Sequence, residues 1–228
     1  MIIPIIIILL SALIFFIAVI YTKKRNKNMA MQFTLLSEKF GSRIDYKYKK
    51  LGQMSLKLDR KFKNRRLIIE DTVGYKSGPA SGHTGSHETQ ITLLLNDSLN
   101  FNFGIAIRTL NQFADVKDFK IVKFDNDFLD KKLYVRTTTV PVAEILIRDK
   151  AVKQALKDYI SNFPKKYFTL KLLGKSINAK NIARLLSNNV REMVEQRIEL
   201  FYVFAEKHDK LSEIIRKRLE EKKNSQKK

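Results

Sequence analysis

The residue types best suited to chemistry are gathered between positions 74 and 88, in GYKSGPASGHTGSHE. His83, His87 and Glu88 are of the kinds that ligate zinc, which accepts imidazole and carboxylate. Two histidines four apart converge on one ion only where a helix aligns them, and Gly78, Gly82 and Gly85 argue against a helix here. No third ligand is indicated nearby, so the stretch reads as a glycine-rich surface loop. It is not a phosphate-binding loop, because the order G-x-x-x-x-G-K-[ST] is missing. Nucleophilic catalysis finds no better footing. The chain has no cysteine and no Gly-x-Ser-x-Gly, and the serines beside His83 and His87 have no orienting acid fixed by pattern. An enzyme or metal-binding domain with a site in loop 74–88, using His83, His87 and Asp127, is therefore the alternative reading.

Asp125, Asp127 and Asp130 form the densest acidic group in a basic chain. Asp125-Asn126-Asp127 carries oxygen ligands for a hard cation but lacks the EF-hand spacing. A tight turn between strands accounts for the same residues. Tyr46-Lys47-Tyr48-Lys49-Lys50 mixes aromatic and basic side chains, as a single-strand nucleic-acid platform would. Strand alternation sends the tyrosines and lysines to opposite faces, with the tyrosines toward the core. Nucleic acid is thereby disfavoured as a partner. His208 reads as a surface residue near a helix end. No catalytic residue and no cofactor are implied.

The elements around these residues start with a membrane-length segment. Ile2–Tyr21 has no charged side chain and includes fifteen strongly apolar ones. Roughly 20 apolar residues are needed to cross about 30 Å of hydrocarbon. At about −0.3 to −0.6 kcal/mol each, the insertion term is on the order of −5 kcal/mol or better. Lys23, Lys24, Arg25 and Lys27 follow at once. No Lys or Arg precedes the run, and Ile20-Tyr21-Thr22 is a poor cleavage site, so an uncleaved anchor is expected rather than a signal peptide. The positive-inside rule then places the N-terminus outside and the remainder in the cytoplasm, at a plasma or inner membrane.

The formal charge of +21 belongs entirely to residues after the anchor. Lys57, Arg60, Lys61, Lys63, Arg65 and Arg66 are its densest cluster, and a second basic run goes from Lys207 to Lys228. A field of this sign suits anionic lipid, at about 1 kcal/mol per residue near a leaflet. The ten basic residues Lys23–Lys27 and Lys57–Arg66 named above are the expected lipid contacts. A protein partner of unstated identity is also expected.

Periodicity predicts a short helix over Asn28–Phe40 and strands at Ile44–Tyr48, Met54–Leu58 and Leu67–Val73. Further strands are predicted around Ile91–Leu95, Leu99–Ile107, Phe119–Phe124, Lys132–Thr138 and Tyr167–Leu173. Pro141 starts a helix, Asp149 caps another that ends before Pro164, and a last helix is expected from about Asn181 to His208. The expected organisation is an anchor over 1–22, a basic segment and short helix over 23–42, an α+β domain over 43–208, and a fraying basic tail over 209–228. The fold class is α+β: an N-terminal transmembrane helix, then an antiparallel sheet packed by two or three helices, one of them long and C-terminal. Phe128-Leu129-Asp130-Lys131-Lys132-Leu133-Tyr134-Val135, followed by Ala143–Ile147 and Ala151–Leu156, resembles a strand-to-paired-helix signature of uncharacterised bacterial single-pass membrane-anchored proteins. That resemblance implies one N-terminal helix and a cytoplasmic α+β domain, and brings no assigned reaction or site residues. Read together, these features describe a non-enzymatic interaction module held at the membrane.

Overall fold

Helix α1 (Ile2–Phe40) is one uninterrupted helix, not an anchor and a separate amphipathic piece. The basic block does not break it because Lys and Arg are good helix formers and no Gly or Pro intervenes. Gly41 ends it at φ +64, the left-handed conformation that favours glycine just past a helix. The computed structural model describes residues 2–41, 43–48, 54–74, 86–97, 99, 101–107, 119–163 and 168–225.

Among the described residues, nine strands follow: β1 (Ile44–Tyr48), β2 (Met54–Phe62), β3 (Arg65–Gly74), β4 (Ser86–Leu94), β5 (Phe103–Ile107), β6 (Lys120–Val122), β7 (Leu133–Thr137), β8 (Thr169–Leu173) and β9 (Ser176–Ala183). All pair antiparallel in one sheet ordered β1-β2-β3-β4-β9-β8-β5-β7-β6. Short helices α2 (Asp127–Lys132), α3 (Val140–Arg148) and α4 (Lys150–Asn162) precede β8, and α5 (Asn188–Ser225) closes the chain. The chain is α+β, as its patterning predicts.

One parity of each strand is buried. Leu56 and Leu58, Leu67 and Ile69, Ile91 and Leu93, Ile177 and Ala179, Leu170 and Leu172, Phe103 and Ile105, and Leu133 and Val135 lie under the helices. Met29, Phe33, Leu36 and Phe40 of α1 join this core, and so do Val194, Ile198, Phe201 and Phe204 of α5. Lys63 and Asn64 have positive φ, which gives β2 and β3 the two-residue turn that matches strand twist.

Four expectations change. β9 replaces the start of the predicted last helix, which begins at Asn188 rather than Asn181. The β4–β9 register shifts between Thr89 and Ile91, with Thr89 opposite Ile182 and Ile91 opposite Ala179, so a regular period of two does not run the length of β9. α5 also runs on past His208 to Ser225, and the stretch expected to fray is helical to that point, with Lys217 and Glu213 paired one turn apart at 2.8 Å. The strand expected to start at Leu99 begins only at Phe103.

The fourth change concerns the acidic group. Asn126 caps α2, accepting from Leu129 N–H at 3.2 Å. Asp130 accepts from the amides of Phe124 at 2.8 Å and Asn126 at 3.0 Å, and Asp125 pairs with Arg148 at 2.8 Å. These side chains build a strand-to-helix turn. Asp149 caps α4 as expected, accepting from the amides of Ala151 and Val152. Burial pushes its pKa up, but the Lys207 ammonium and those two amides outweigh burial and leave the carboxyl below its ordinary value.

Candidate membrane-facing site

Helix α1 has two halves of opposite character. Ile6, Ile7, Ile8, Leu9, Leu10, Leu13, Ile14, Phe15, Phe16, Ile17 and Ile20 are 49–69% exposed, and none of the apolar window is buried in the structure. Ser11, the one polar side chain here, donates back to the carbonyls of Ile7 and Ile8, which satisfies its hydroxyl within the helix. The segment is long and apolar enough to cross a membrane. From Met29 onward the same helix is docked on the sheet. Lys23, Lys24 and Lys27, all exposed, and the half-buried Arg25 sit between the halves.

Where α1 first meets the domain, a polar cluster lies in the core. Arg184 donates through Nη2 to Asp71 Oδ2 at 2.9 Å and through Nε to Met29 Sδ at 3.3 Å. The side chains of Arg184 and Asp71 are 7% and 1% exposed. Gln32, also buried, donates to Asn188 Oδ1 at 3.0 Å. Burial lowers the Arg184 pKa; Asp71 opposes this and the nearby Arg25 charge adds to it. The sequence reading missed this cluster. A signal existed: Asp71 follows Leu67 and Ile69 at the inward parity, and an acid there needs a buried cation.

The basic hairpin lies elsewhere. α1 and α5 run in the same direction, with Gln32 beside Asn188 and Lys39 paired to Glu195 at 2.7 Å. Phe40 packs edge-on against Phe62 at 5.1 Å, so the β2–β3 turn sits at the end of the sheet remote from Met29. Along α1, the 19 residues from Tyr21 to Phe40 correspond to about 28 Å. That is more than three Debye lengths of about 8 Å at physiological ionic strength.

The hairpin cations are also engaged within the fold. Arg65 is buried and pairs with Asp209 at 2.6 Å. Lys63 pairs with Glu199 at 3.1 Å and lies over the Phe62 and Tyr202 rings. Tyr202, pushed up to about 12 by burial, donates to the Phe62 carbonyl at 2.6 Å. Arg60 lies against Gly41. Lys61 is exposed. Arg66 grips Asp59 through Nε and Nη2, both at 2.8 Å, and Lys57 adds a contact at 3.1 Å.

The hydrogen bond from Arg66 is the main cause that lowers the Asp59 carboxyl to about 2. With its folded pKa below the unfolded value near 3.9, Asp59 stabilises the fold above that value and loses its contribution as pH falls toward 2. A carboxyl-carbon NMR titration should place the Asp59 midpoint near 2 in the intact chain, and nearer the ordinary value after Arg66→Gln. An unshifted midpoint in the intact chain would refute the forked contact.

His208 is fully buried, not at the surface. Its ring stacks on Phe101 at 6.0 Å, and burial lowers its pKa despite the neighbouring Asp209. It faces the core because α5 continues past it. His83 lies outside the described residues. His87 lies in β4, in register with Val73, so β3 and β4 extend into the stretch expected to be loop. Among the described residues, no group of three or more His, Cys, Asp or Glu side chains comes together as a metal site would need. Tyr46 and Tyr48 pair in register with Leu56 and Met54.

No family model matches the chain, and no curated protein matches it. The crystal structure of the mycobacterial trehalose monomycolate transport factor A, TtfA, is similar to it with a TM-score of 0.46 and 12% identity, covering 77% of this chain and 95% of that one. At that score and identity the likeness says nothing about what this chain does.

Proposed function

We propose that the protein is a non-enzymatic, membrane-anchored interaction module, spanning a plasma or inner membrane once, with its N-terminus outside and its α+β domain in the cytoplasm. One observation carries this reading: the apolar half of α1 is left exposed while the same helix continues into the hydrophobic core. An apolar surface of that length in water is a large free-energy cost that a bilayer removes. Continuity makes α1 a strut that fixes the standoff and tilt of the domain.

The positive charge that follows the span sets the orientation. Leaflet contact belongs to Lys23, Lys24, Arg25 and Lys27, within about 9 Å of Tyr21 along the helix. Arg60, Lys61, Lys63, Arg65 and Arg66, at and beside the β2–β3 turn, stand farther down α1, whereas Lys57 is in register with Glu70, toward the Met29 end of the sheet. The protein partner would meet the domain at this fixed distance from the leaflet.

The test uses the full chain with a fluorescent reporter that matures only in the cytoplasm, fused after Lys228. Fluorescence in membranes that resist alkaline carbonate extraction is the expected result. A dark reporter, or release by carbonate, would overturn the orientation or the anchor respectively.

A further inference from the structure

Helix α5 outlasts the domain it closes. Leu211 and Ser212 are its last buried side chains, yet the helix goes on to Ser225. Ser212, Ile215, Arg216, Leu219, Glu220 and Lys223 recur at helical spacings of three and four and form one side of a groove of about 330 Å³. Asp97 and Leu99, just after β4, form the other. The floor of this groove is unfinished. Ser212 is 3% exposed, and its Oγ has no hydrogen-bond partner among the described residues. A serine within a helix ordinarily donates to the carbonyl one turn back, as Ser11 does. A buried hydroxyl left unpaired costs free energy that an arriving polar group removes.

Exposure and charge identify what arrives. Leu219 is 55% exposed and the Arg216 side chain 63%, so a small molecule here would stay half in water. Small-molecule pockets enclose about 70–90% of their ligand. A partner helix laid along the stripe instead covers Ile215 and Leu219 over the roughly 17 Å from Ser212 to Lys223. From Glu213 to Lys228 the chain has seven Lys and Arg against three Glu. A second copy brings the same positive charge and is repelled. The phosphates of RNA would meet Asp97 and Glu220, and none of the described residues lining the groove is aromatic, so a base has no ring to stack on. The leaflet is out of reach, because Tyr202 is level with Phe62 and Phe40, and α5 runs about 30 Å farther from there to Lys223.

We propose that this groove docks an acidic amphipathic helix of a partner protein. The apolar side of that helix covers Leu99, Ile215 and Leu219, its carboxylates meet Arg216 and Lys223, and one of its polar groups completes Ser212. This rests on the reading that α1 spans the bilayer, which sets the groove on the side of the domain away from the leaflet.

The full chain, purified in a non-ionic detergent, is panned against phage-displayed random peptides of about 16 residues, long enough to span the groove as a helix. An enriched peptide is then made with a fluorescein label for anisotropy titration. Enriched peptides should be acidic, with large apolar residues three and four apart. Leu219→Glu should weaken the labelled peptide about 10-fold or more, as for an anchor lost from the centre of an interface. Arg216→Glu should weaken it about fivefold, and Arg218→Glu, the same change of charge off the stripe, less than about twofold. Ser212→Ala should melt no lower than the intact chain and bind the peptide more weakly.

Enrichment of basic or uncharged peptides, or of none, would overturn the partner's chemistry. Equal losses in Arg216→Glu and Arg218→Glu would overturn the site, and a lower melting temperature with unchanged binding in Ser212→Ala would overturn its floor. A dimer of the intact chain that Leu219→Glu converts to monomer would make a second copy the occupant instead. Displacement of the peptide by an equal concentration of single-stranded RNA would make it nucleic acid. A chain retained in carbonate-washed membranes that fails these tests loses the groove alone, whereas a chain washed off that still binds the peptide loses the anchor alone.

Discussion

Replacing Asp71 by alanine should destabilise the protein by about 3–5 kcal/mol, the cost of leaving a buried cation without its partner. An ordinary substitution costs about 1 kcal/mol, and a domain has only about 5–15 in total. The large figure follows from burial. Both side chains of the Arg184–Asp71 pair are almost wholly enclosed, so water cannot replace the lost carboxylate. The charge of Arg25 nearby adds to the penalty. At about 2–4 °C per kcal/mol for a chain of this size, melting should fall by about 6–20 °C.

The double variant Asp71→Leu with Arg184→Met separates lost charge balance from lost packing. Exchanging a buried ion pair for apolar side chains of similar volume is often neutral, so the double variant should recover most of the stability. A drop of less than about 1 kcal/mol for Asp71→Ala would show that the pair is not what secures α1 to β3. The same pair holds Arg184 against Met29, so α1 should also lose its fixed angle when Asp71 is removed.

Introducing arginine at both Leu10 and Ile14 should detach the protein from the membrane. The two positions are one helical turn apart near the middle of the apolar run. Each central arginine costs about 2.5–3.5 kcal/mol of insertion free energy, so the pair costs about 5–7. That matches or exceeds the favourable term, on the order of −5 kcal/mol, that the native run provides. Neither side chain contributes to the domain core, because both stand exposed. The domain should therefore melt at an unchanged temperature while the chain moves from the carbonate-resistant membrane fraction to the soluble one. Retention of the double variant in membranes would show that something other than α1 secures it.

Much of the fold is legible where a strand has one wet and one dry face. β7 and the centre of β3 lie where patterning predicts them, because burial on one side imposes a period of two, and β1 spans the predicted Ile44–Tyr48. Helix α4 is legible from its cap and from the proline after it. β9 was hidden by its register shift against β4. The acidic turn at 125–130 was legible as a turn, but its use of Asp130 to hold two backbone amides depends on the turn geometry, which no spacing rule specifies.

The sequence shows Arg25 only as one member of a basic run. The pairing of Arg184 with Asp71, 113 residues away in the chain, has no local signature. Hydropathy and charge, summed over neighbouring residues, determined that the chain begins with a membrane-length apolar helix and continues as a basic α+β domain. Those quantities are local, so the linear order of residues suffices to read them. Tertiary structure alone decided that the apolar helix continues unbroken into the core, that the β2–β3 turn lies at the end of the sheet remote from Met29, and that Arg184 and Asp71 are buried together beside Met29. Each of these depends on contacts between segments distant in the chain, whose energies follow from packing and desolvation in three dimensions.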